Sequence, residues 1–364
     1  MTSPQRLRGA IVGYGFISSK GHIPAYRDRL KNKNDVEIVA VCDVVPARLE
    51  IARKDWPGVR TYTDFTELLA KEKGNLDFVD ISTPAAMHAS MIMSSLEAGL
   101  HVLCEKPLVT SLEDATRVLN RAREVGKTLF PCHNYKHAPV VKAINEIIAS
   151  GKIGKVKSIT LNTFRNTHAK GVPEWKTDWR RYKEYSGGGI AMDHGSHSLY
   201  LMFDWLGSHP TSVSAVMKNF DSAKYDTEDY FNAVLTFPTG MASLHLTWTA
   251  GVRKVIYTLQ GERGAITVDD DDLQLAMMRS QKGKSANYMD IEWETERYSL
   301  KSHWMDSSHV TWFDSLFTDF QKAIVEKEFV GREIRDAWLC IQAITKSYES
   351  ADNGSREVSL KNEI

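Results

Sequence analysis

Cysteine is scarce in this 364-residue chain, which carries only Cys42, Cys104, Cys132 and Cys340. Their spacings suit neither a zinc ribbon nor a disulfide framework, so packing roles in a reducing compartment are expected. Charge of one sign is also missing. The 46 Lys+Arg balance the 46 Asp+Glu, which removes any bulk attraction to nucleic acid or an anionic membrane and favours a small-molecule ligand. No stretch approaches the roughly 18 apolar residues of a membrane helix. Met1 to Arg8 runs polar and basic with no apolar signal core, so an unexported, cytoplasmic protein is expected. Internal repeats and low-complexity linkers are absent. The one charge run, Asp269-Asp270-Asp271-Asp272, reads as a solvated turn rather than a metal site, because neighbours in extended chain point to opposite sides.

At this length a single core seldom keeps growing, so two domains are expected. From Leu7 to Asn134, short apolar runs alternate with helical patterns. Gly9 to Val12, Val36 to Cys42, Phe78 to Ile81, His101 to Cys104 and Thr128 to Cys132 read as strands. Ala85 to Ala98 and Leu112 to Val125 read as helices, with Gly99 and Gly126 at their C-caps. Right-handed crossovers then give a doubly wound parallel sheet. Past a helix over Pro139 to Ser150, strands dominate to about Arg297: Val156 to Thr163, Thr211 to Met217, Asn232 to Phe237, Ala242 to Thr247, Val255 to Gln260 and Ala265 to Val268. Tight connections such as Pro238-Thr239-Gly240 indicate antiparallel pairing. A long helix over Gly189 to Trp205 would cover one sheet face. Helices over Val310 to Glu326 and Glu333 to Ala351, then a strand-like Glu357-Val358-Ser359, close the chain. The expected division is a cofactor domain over residues 1–134 and a substrate-binding domain over 135–364, with the last helix free to pack back on the first.

Gly13-Tyr14-Gly15-Phe16-Ile17-Ser18 follows the first strand and opens a helix, where backbone N–H groups can hold a pyrophosphate. Gly13 makes the turn and Gly15 clears room for phosphates, while Ser18 stands in place of a third glycine. Asp43 ends the second strand and could accept from the adenosine ribose hydroxyls, which favours NAD over NADP. Arg48, one turn on, is the residue that could reverse this. The competing reading is that Asp43 caps the helix near Pro46. Thr83-Pro84 begins the helix after the fourth strand, and His88, one turn further, faces either the cofactor groove or the sheet. Glu105-Lys106-Pro107 puts an ammonium at the edge of a parallel sheet where ligands sit.

Gly187-Gly188-Gly189 leads into a helix carrying Asp193 and His197 on one face. Alcohol dehydrogenation requires removal of the hydroxyl proton as hydride leaves carbon, and an imidazole titrates in the right range, so His197 is the expected general base. Asp193 would orient His197, bind a substrate hydroxyl or share the proton. Lys106 would stabilise a developing alkoxide. Asp193, His194 and His197 could instead ligate zinc, but spacing identifies no further ligand, and no metal is expected. Arg165, His168, Lys170, Lys176, Arg180, Arg181 and Lys183, interleaved with Trp175, Trp179 and Tyr182, would either grip an anionic sugar derivative or form a solvated or subunit-facing loop.

These motifs, from the glycine loop with His22-Ile23-Pro24-Ala25 through Thr83-Pro84, Glu105-Lys106-Pro107 and Trp179-Arg180 to Asp193 and His197, resemble the Gfo/Idh/MocA family of glucose-fructose oxidoreductase and inositol dehydrogenase. The resemblance implies an α/β fold: an N-terminal Rossmann domain and a C-terminal α/β domain on a large open, mainly antiparallel sheet, with homodimers or homotetramers joined through that sheet. It also implies a cis peptide before Pro107. The family's Lys, Asp and His map onto Lys106, Asp193 and His197, and Asn134 takes a position that often contacts nicotinamide or substrate. Tyr135-Lys136 departs from the commoner arginine-containing versions. The implied cofactor contacts are Gly13, Gly15, Phe16, Ile17, Asp43, Ser82, Thr83, Pro84, His88, Glu105, Lys106, Asn134, Trp179 and Arg180. The implied substrate contacts are Lys106, Asn134, Arg165, Asp193, His194 and His197. The expected activity is hydride transfer between NAD(P), with NAD favoured, and a hydroxyl-bearing carbon of a sugar, inositol or sugar derivative. The alternatives are an NAD-using glycosidase or other enzyme without net redox, and a cofactor-sensing regulatory protein.

Overall fold

A computed structural model describes residues 6–279, 293–300 and 309–361. Six parallel strands form the first sheet: β1 (Leu7–Val12), β2 (Val36–Cys42), β3 (Arg60–Tyr62), β4 (Phe78–Ile81), β5 (His101–Cys104) and β6 (Leu129–Pro131), in the order β3-β2-β1-β4-β5-β6. Helices α1 (Ile23–Asn32), α2 (Pro46–Asp55), α3 (Phe65–Lys71), α4 (His88–Glu97) and α5 (Leu112–Val125) make the crossovers. Strands β4 and β5 are buried at nearly every position, as a sheet covered on both faces demands. The caps explain where α5 stops and starts. The Ser111 hydroxyl accepts from the Asp114 N–H at 3.1 Å, and Gly126 ends the helix at φ 65°. The strand order reverses between β1 and β4, which opens a crevice at their C-terminal ends.

Helix α6 (Pro139–Ala149) leads to the second sheet, which contains β7 (Val156–Phe164), β8 (Ser212–Lys218), β9 (Tyr230–Phe237), β10 (Gly240–Thr247), β11 (Lys254–Gly261), β12 (Gly264–Asp269), β13 (Asp272–Met278), β14 (Trp293–Ser299) and β15 (Val358–Ser359). Their order is β14-β13-β12-β11-β7-β10-β9-β8-β15. The expected hairpins are present at 238–240 and 261–264, but one pairing differs from the antiparallel expectation. Strand β7 lies parallel to β10, with Leu161 opposite Leu244, because β7 is inserted between two hairpins that form later in the chain. The turn at 269–272 is a hairpin tip in which Asp270 accepts from the Val255 N–H at 2.8 Å and Lys254 pairs with Asp269 at 2.6 Å. Residues 280–292, inside the strand-rich stretch expected to reach Arg297, lie outside the described residues.

Between the sheets run the short α7 (Lys183–Ser186), then α8 (Ile190–Leu206) and α10 (Arg332–Asp352), with α9 (Val310–Val325) set apart from them. One apolar core passes from α5 (Val118, Leu119) through α10 (Ile341, Ile344) and α8 (Leu199, Met202) to Leu244 of the second sheet. Helix α9 completes a different core, on the other side of the parallel sheet. Phe317 meets Tyr26 and Phe78 at ring distances of 5.0 and 5.5 Å, and Phe320 meets Phe78 at 5.6 Å. Among the described residues no helix is long and apolar enough to cross a membrane.

Candidate active site

The glycine loop sits at the C-terminal end of β1. Gly13 turns at φ 89°, where a Cβ would lie 2.8 Å from the Ser82 carbonyl oxygen. A Cβ on Gly15 would meet nothing within 4 Å, so this side of the loop opens onto free space of the kind a pyrophosphate requires. Phe16 is exposed beside it, and a five-residue π-helical turn, Ser18–His22, precedes α1. The Ser18 hydroxyl donates to the Gly13 carbonyl at 2.5 Å, which shows how serine serves where a third glycine was expected. Asp43 accepts from the Tyr14 N–H at 2.6 Å and from the Val45 N–H at 2.8 Å, so it ties the glycine loop to the start of α2 as well as facing the crevice end of β2. Burial raises its pKa against the lowering effect of those two amides. Arg48 is spent locally: it donates to the Tyr14 carbonyl at 2.7 Å and lies 3.6 Å from Glu174. These residues fit a dinucleotide, which would supply hydride chemistry at its nicotinamide.

Ser82, Thr83 and Pro84 follow β4 as half-buried loop residues beneath Gly13. Two expected cofactor contacts also have protein partners. His88 is buried, with Nδ1 2.9 Å from the Pro107 carbonyl and Nε2 2.8 Å from the Thr83 carbonyl, so its ring sits between two loops and its N–H donates to one of these carbonyls. Glu105 is also buried, and its carboxylate binds the Lys106 N–H at 3.1 Å and His22 Nε2 at 3.1 Å. His22 in turn lies 2.6 Å from Asp80, which also accepts from the Tyr26 hydroxyl at 2.6 Å. Burial opposes charge on His22, but Asp80 and Glu105 outweigh it and raise its pKa to about 10. Donor atoms of His22, Glu105 and Cys132 all fall within 4.8 Å of one another. The imidazolium already supplies the positive charge those carboxylates need, so we read an ion network rather than a metal site.

Lys106, delivered by β5 just before a cis Lys106–Pro107 peptide, crosses to the N-terminal turn of α8. Its ammonium donates to the Asp193 carbonyl at 2.8 Å and to Asp193 Oδ1 at 3.1 Å. Arg180 donates to the same Oδ1 at 3.3 Å, with its guanidinium 4.2 Å from the Trp179 ring centroid, and His194 Nδ1 lies 3.2 Å from Oδ2. Burial pushes the Asp193 pKa up, yet the Lys106 and Arg180 cations hold the carboxyl well below its usual range. Of the three roles open to Asp193, orienting His197 has no hydrogen bond between the two side chains behind it. His197 Nδ1 is hydrogen-bonded instead to the Tyr200 hydroxyl at 2.6 Å, and its ring stacks on Tyr135 at 3.7 Å and 13°. Burial and the nearby Lys106 cation keep the His197 pKa well below that of a free imidazole. Tyr200 stands three residues after His197, a helical spacing that sequence alone could have flagged; the Tyr135 stack and the His22 network depend on the fold.

The triple glycine has steric work to do. A Cβ on Gly189 would lie 1.8 Å from the Glu228 carbonyl oxygen, and the Glu228 carboxylate accepts from the N–H groups of Gly189 and Ala191 at 2.9 Å each. The preceding basic loop is partly neutralised. His168 and Lys170 pair with Asp178, and Arg181 pairs with Asp229 at 3.1 Å. Arg165 follows β7 and donates to its neighbour's carbonyl at 3.1 Å, while the buried Asn134 opens a half-buried 3-10 turn, Asn134–His137. Lys136, in the position that departs from the family pattern, pairs with Glu333, Asp204 and Asp336 at 2.8 to 3.4 Å and so fastens α8 and α10 to the end of β6.

Residues 7–133 match the oxidoreductase family with an NAD-binding Rossmann fold, and residues 141–267 match the Gfo/Idh/MocA C-terminal domain. The chain belongs to the Gfo/Idh/MocA family. This family consists of NAD(P)-dependent oxidoreductases, and the first domain is an NAD(P)-binding domain. The D-glucoside 3-dehydrogenase of Escherichia coli is 29% identical over 248 residues, 64% of this chain and 68% of that protein. The D-apiose dehydrogenase of Paraburkholderia graminis is 34% identical over 153 residues, 42% of this chain and 39% of that one. The chain thus spans about two-fifths of the apiose enzyme's length. An uncharacterised Saccharomyces cerevisiae protein is 26% identical across 96% of this chain and 97% of its own. Among solved structures, a levoglucosan dehydrogenase complexed with NADH superimposes with a TM-score of 0.80 at 21% identity, covering 98% of this chain and 99% of that one.

Proposed function

We propose that this protein transfers hydride between a nicotinamide cofactor and a hydroxyl-bearing carbon of a sugar, inositol or sugar derivative, with Lys106, Asp193 and His197 as the catalytic set. The observation that carries this is the reach of Lys106 from the crevice end of the parallel sheet to Asp193, one helical turn from His197. A cation and an imidazole on one side of a dinucleotide crevice can hold the oxygen on which charge develops as hydride moves. Asp193 fixes the Lys106 ammonium, and Arg180 and His194 fix Asp193. The cofactor domain spans residues 1–134 and the substrate domain 135–364 in this reading. Asp43 favours NAD over NADP, since its carboxylate would repel a 2′-phosphate and Arg48 is already engaged. Lys170, Arg180 and Arg181 have carboxylate partners, and Arg165, which donates to the Phe164 carbonyl, is the cation we assign to an acidic substituent on the substrate.

The test is a screen of inositols, hexoses, sugar acids and nucleotide sugars with NAD and NADP, read as nicotinamide absorbance. Net NADH production with at least one of them is the expected result. With that substrate, Lys106→Met should lower kcat by about 100-fold or more while leaving NADH binding measurable. Parent-level turnover in that variant would overturn the assignment.

A further inference from the structure

We propose that Tyr200 sets the tautomer of His197: the phenol donates to Nδ1, the neutral imidazole carries its hydrogen on Nε2, and His197 meets the substrate oxygen as a donor while Lys106 exchanges the proton. The last step rests on the function proposed above; the tautomer does not.

The reasoning is an account of hydrogens. Tyr200 is 0% exposed, and its hydroxyl has two polar neighbours among the described residues, His197 Nδ1 at 2.6 Å and the Tyr135 N–H at 3.3 Å. A backbone N–H can only donate, so it occupies a lone pair of the phenol oxygen. The phenol's own hydrogen then has one acceptor within reach, Nδ1. Were Nδ1 protonated instead, a buried hydroxyl hydrogen would be left without a partner, which native interiors avoid. The Tyr135 ring stacked on the imidazole, and Tyr200 set edge-on to it at 79°, hold the ring plane, and the hydrogen bond itself keeps Nδ1 on the phenol side, since a flipped ring would present a C–H there. Burial holds His197 neutral, so it does not escape the choice by carrying both hydrogens.

A proton carrier must then be found elsewhere, and Lys106 qualifies. An ammonium has three hydrogens. Two go to the Asp193 carbonyl and Oδ1, which leaves the third for the substrate. In carbonyl reduction, hydride from reduced nicotinamide brings the electron pair of the new C–H bond, and the C=O π pair moves to oxygen. That oxygen takes the third Lys106 hydrogen as a proton. The products are the alcohol, oxidised nicotinamide and a Lys106 amine that water reprotonates; oxidation runs the same steps backwards. His197 keeps its hydrogen in both directions, in contrast to the general base expected from sequence.

The tautomer is read by NMR of ring nitrogens in 15N-histidine-labelled protein without substrate or cofactor, with His197→Gln to assign the signals. At neutral pH the His197 signals should show a protonated Nε2 and an unprotonated Nδ1. Tyr200→Phe should let the Nδ1-protonated form appear, with NADH binding as the check that the variant is folded. A wild-type ring protonated on Nδ1, or an unaltered tautomer in Tyr200→Phe, overturns the proposal whatever the enzyme acts on. With an accepted substrate, His197→Gln, which can still donate, should keep at least about tenfold more of the parent kcat than His197→Ala does. A loss of about 100-fold or more, equal to that of His197→Ala, would show that His197 exchanges the proton.

Discussion

Gly13 and Gly15 share one turn but face different constraints, and this separates stability from binding. At Gly13 the backbone itself forbids a side chain, through a φ of 89° and the nearby Ser82 carbonyl. At Gly15 the protein leaves the space empty. Gly15→Ala should therefore change unfolding free energy by no more than about 0.5 kcal/mol while weakening NADH binding in a fluorescence titration. Unchanged affinity would remove the phosphate from that space. His22 presents the opposite case. Its folded pKa of about 10 lies above the 6.5 of a free imidazole, so its contribution to stability is complete below pH 6.5 and is lost as pH rises toward 10. His22→Ala should cost about 3–5 kcal/mol at neutral pH, because two buried carboxylates lose their counter-charge. Denaturant melts at pH 7 and 10 should show the gap between parent and variant narrowing at the higher pH. Neither His22 nor Glu105 advertises this pairing in the sequence, since 83 positions separate them.

Elements were more legible than their pairings. The boundaries of β2, β4, β5 and α5 follow directly from apolar runs and caps, since local chemistry alone decides them. Strand β3, three residues long at the sheet edge and largely unburied, carries no apolar pattern to read. The parallel β7–β10 pair could not be inferred from hairpin logic, because a strand's second neighbour is chosen by the whole sheet. Likewise, Asp193 and His197 were correctly placed on one helix, but their partners arrive from β5 and from one turn further along α8. The end of β2 bears a prediction of its own. Asp43→Asn keeps an oxygen for one of the two loop amides, which bind different carboxylate oxygens, and removes the charge, which should raise use of NADP relative to NAD by about tenfold or more. A close charge pair near a surface is worth about 1–4 kcal/mol. Equal cofactor preference in parent and variant, measured as kcat/KM or by competitive binding, would count against the ribose role of Asp43.

Among the described residues, no helix covers one face of the second sheet. Val216, Val234 and Met241 are 42%, 41% and 51% exposed on it, and His245 Nε2 on the same face is buried without a hydrogen-bond partner. A second copy of the chain laid sheet to sheet would cover these residues, so a homodimer or homotetramer is the expected state. Light scattering after size exclusion should report it. Val234→Glu together with Met241→Glu should shift the population to monomer, and an unchanged mass would place the interface elsewhere. The alternation of β8, β9 and β10 makes this face visible in the sequence, but its partner is not.

Helix α9 lies near the end of the chain, yet its Phe317 and Phe320 close the core around Phe78 that the first sheet began, and Asp314 accepts from the buried Arg29 of α1 at 2.9 Å. A fragment ending at residue 134 would expose that aromatic surface and leave Arg29 without one of its carboxylates. The two halves are thus not interchangeable cassettes: a chimera that borrows another cofactor domain must also borrow the helix that returns to it, or accept a first half whose aromatic core stays open.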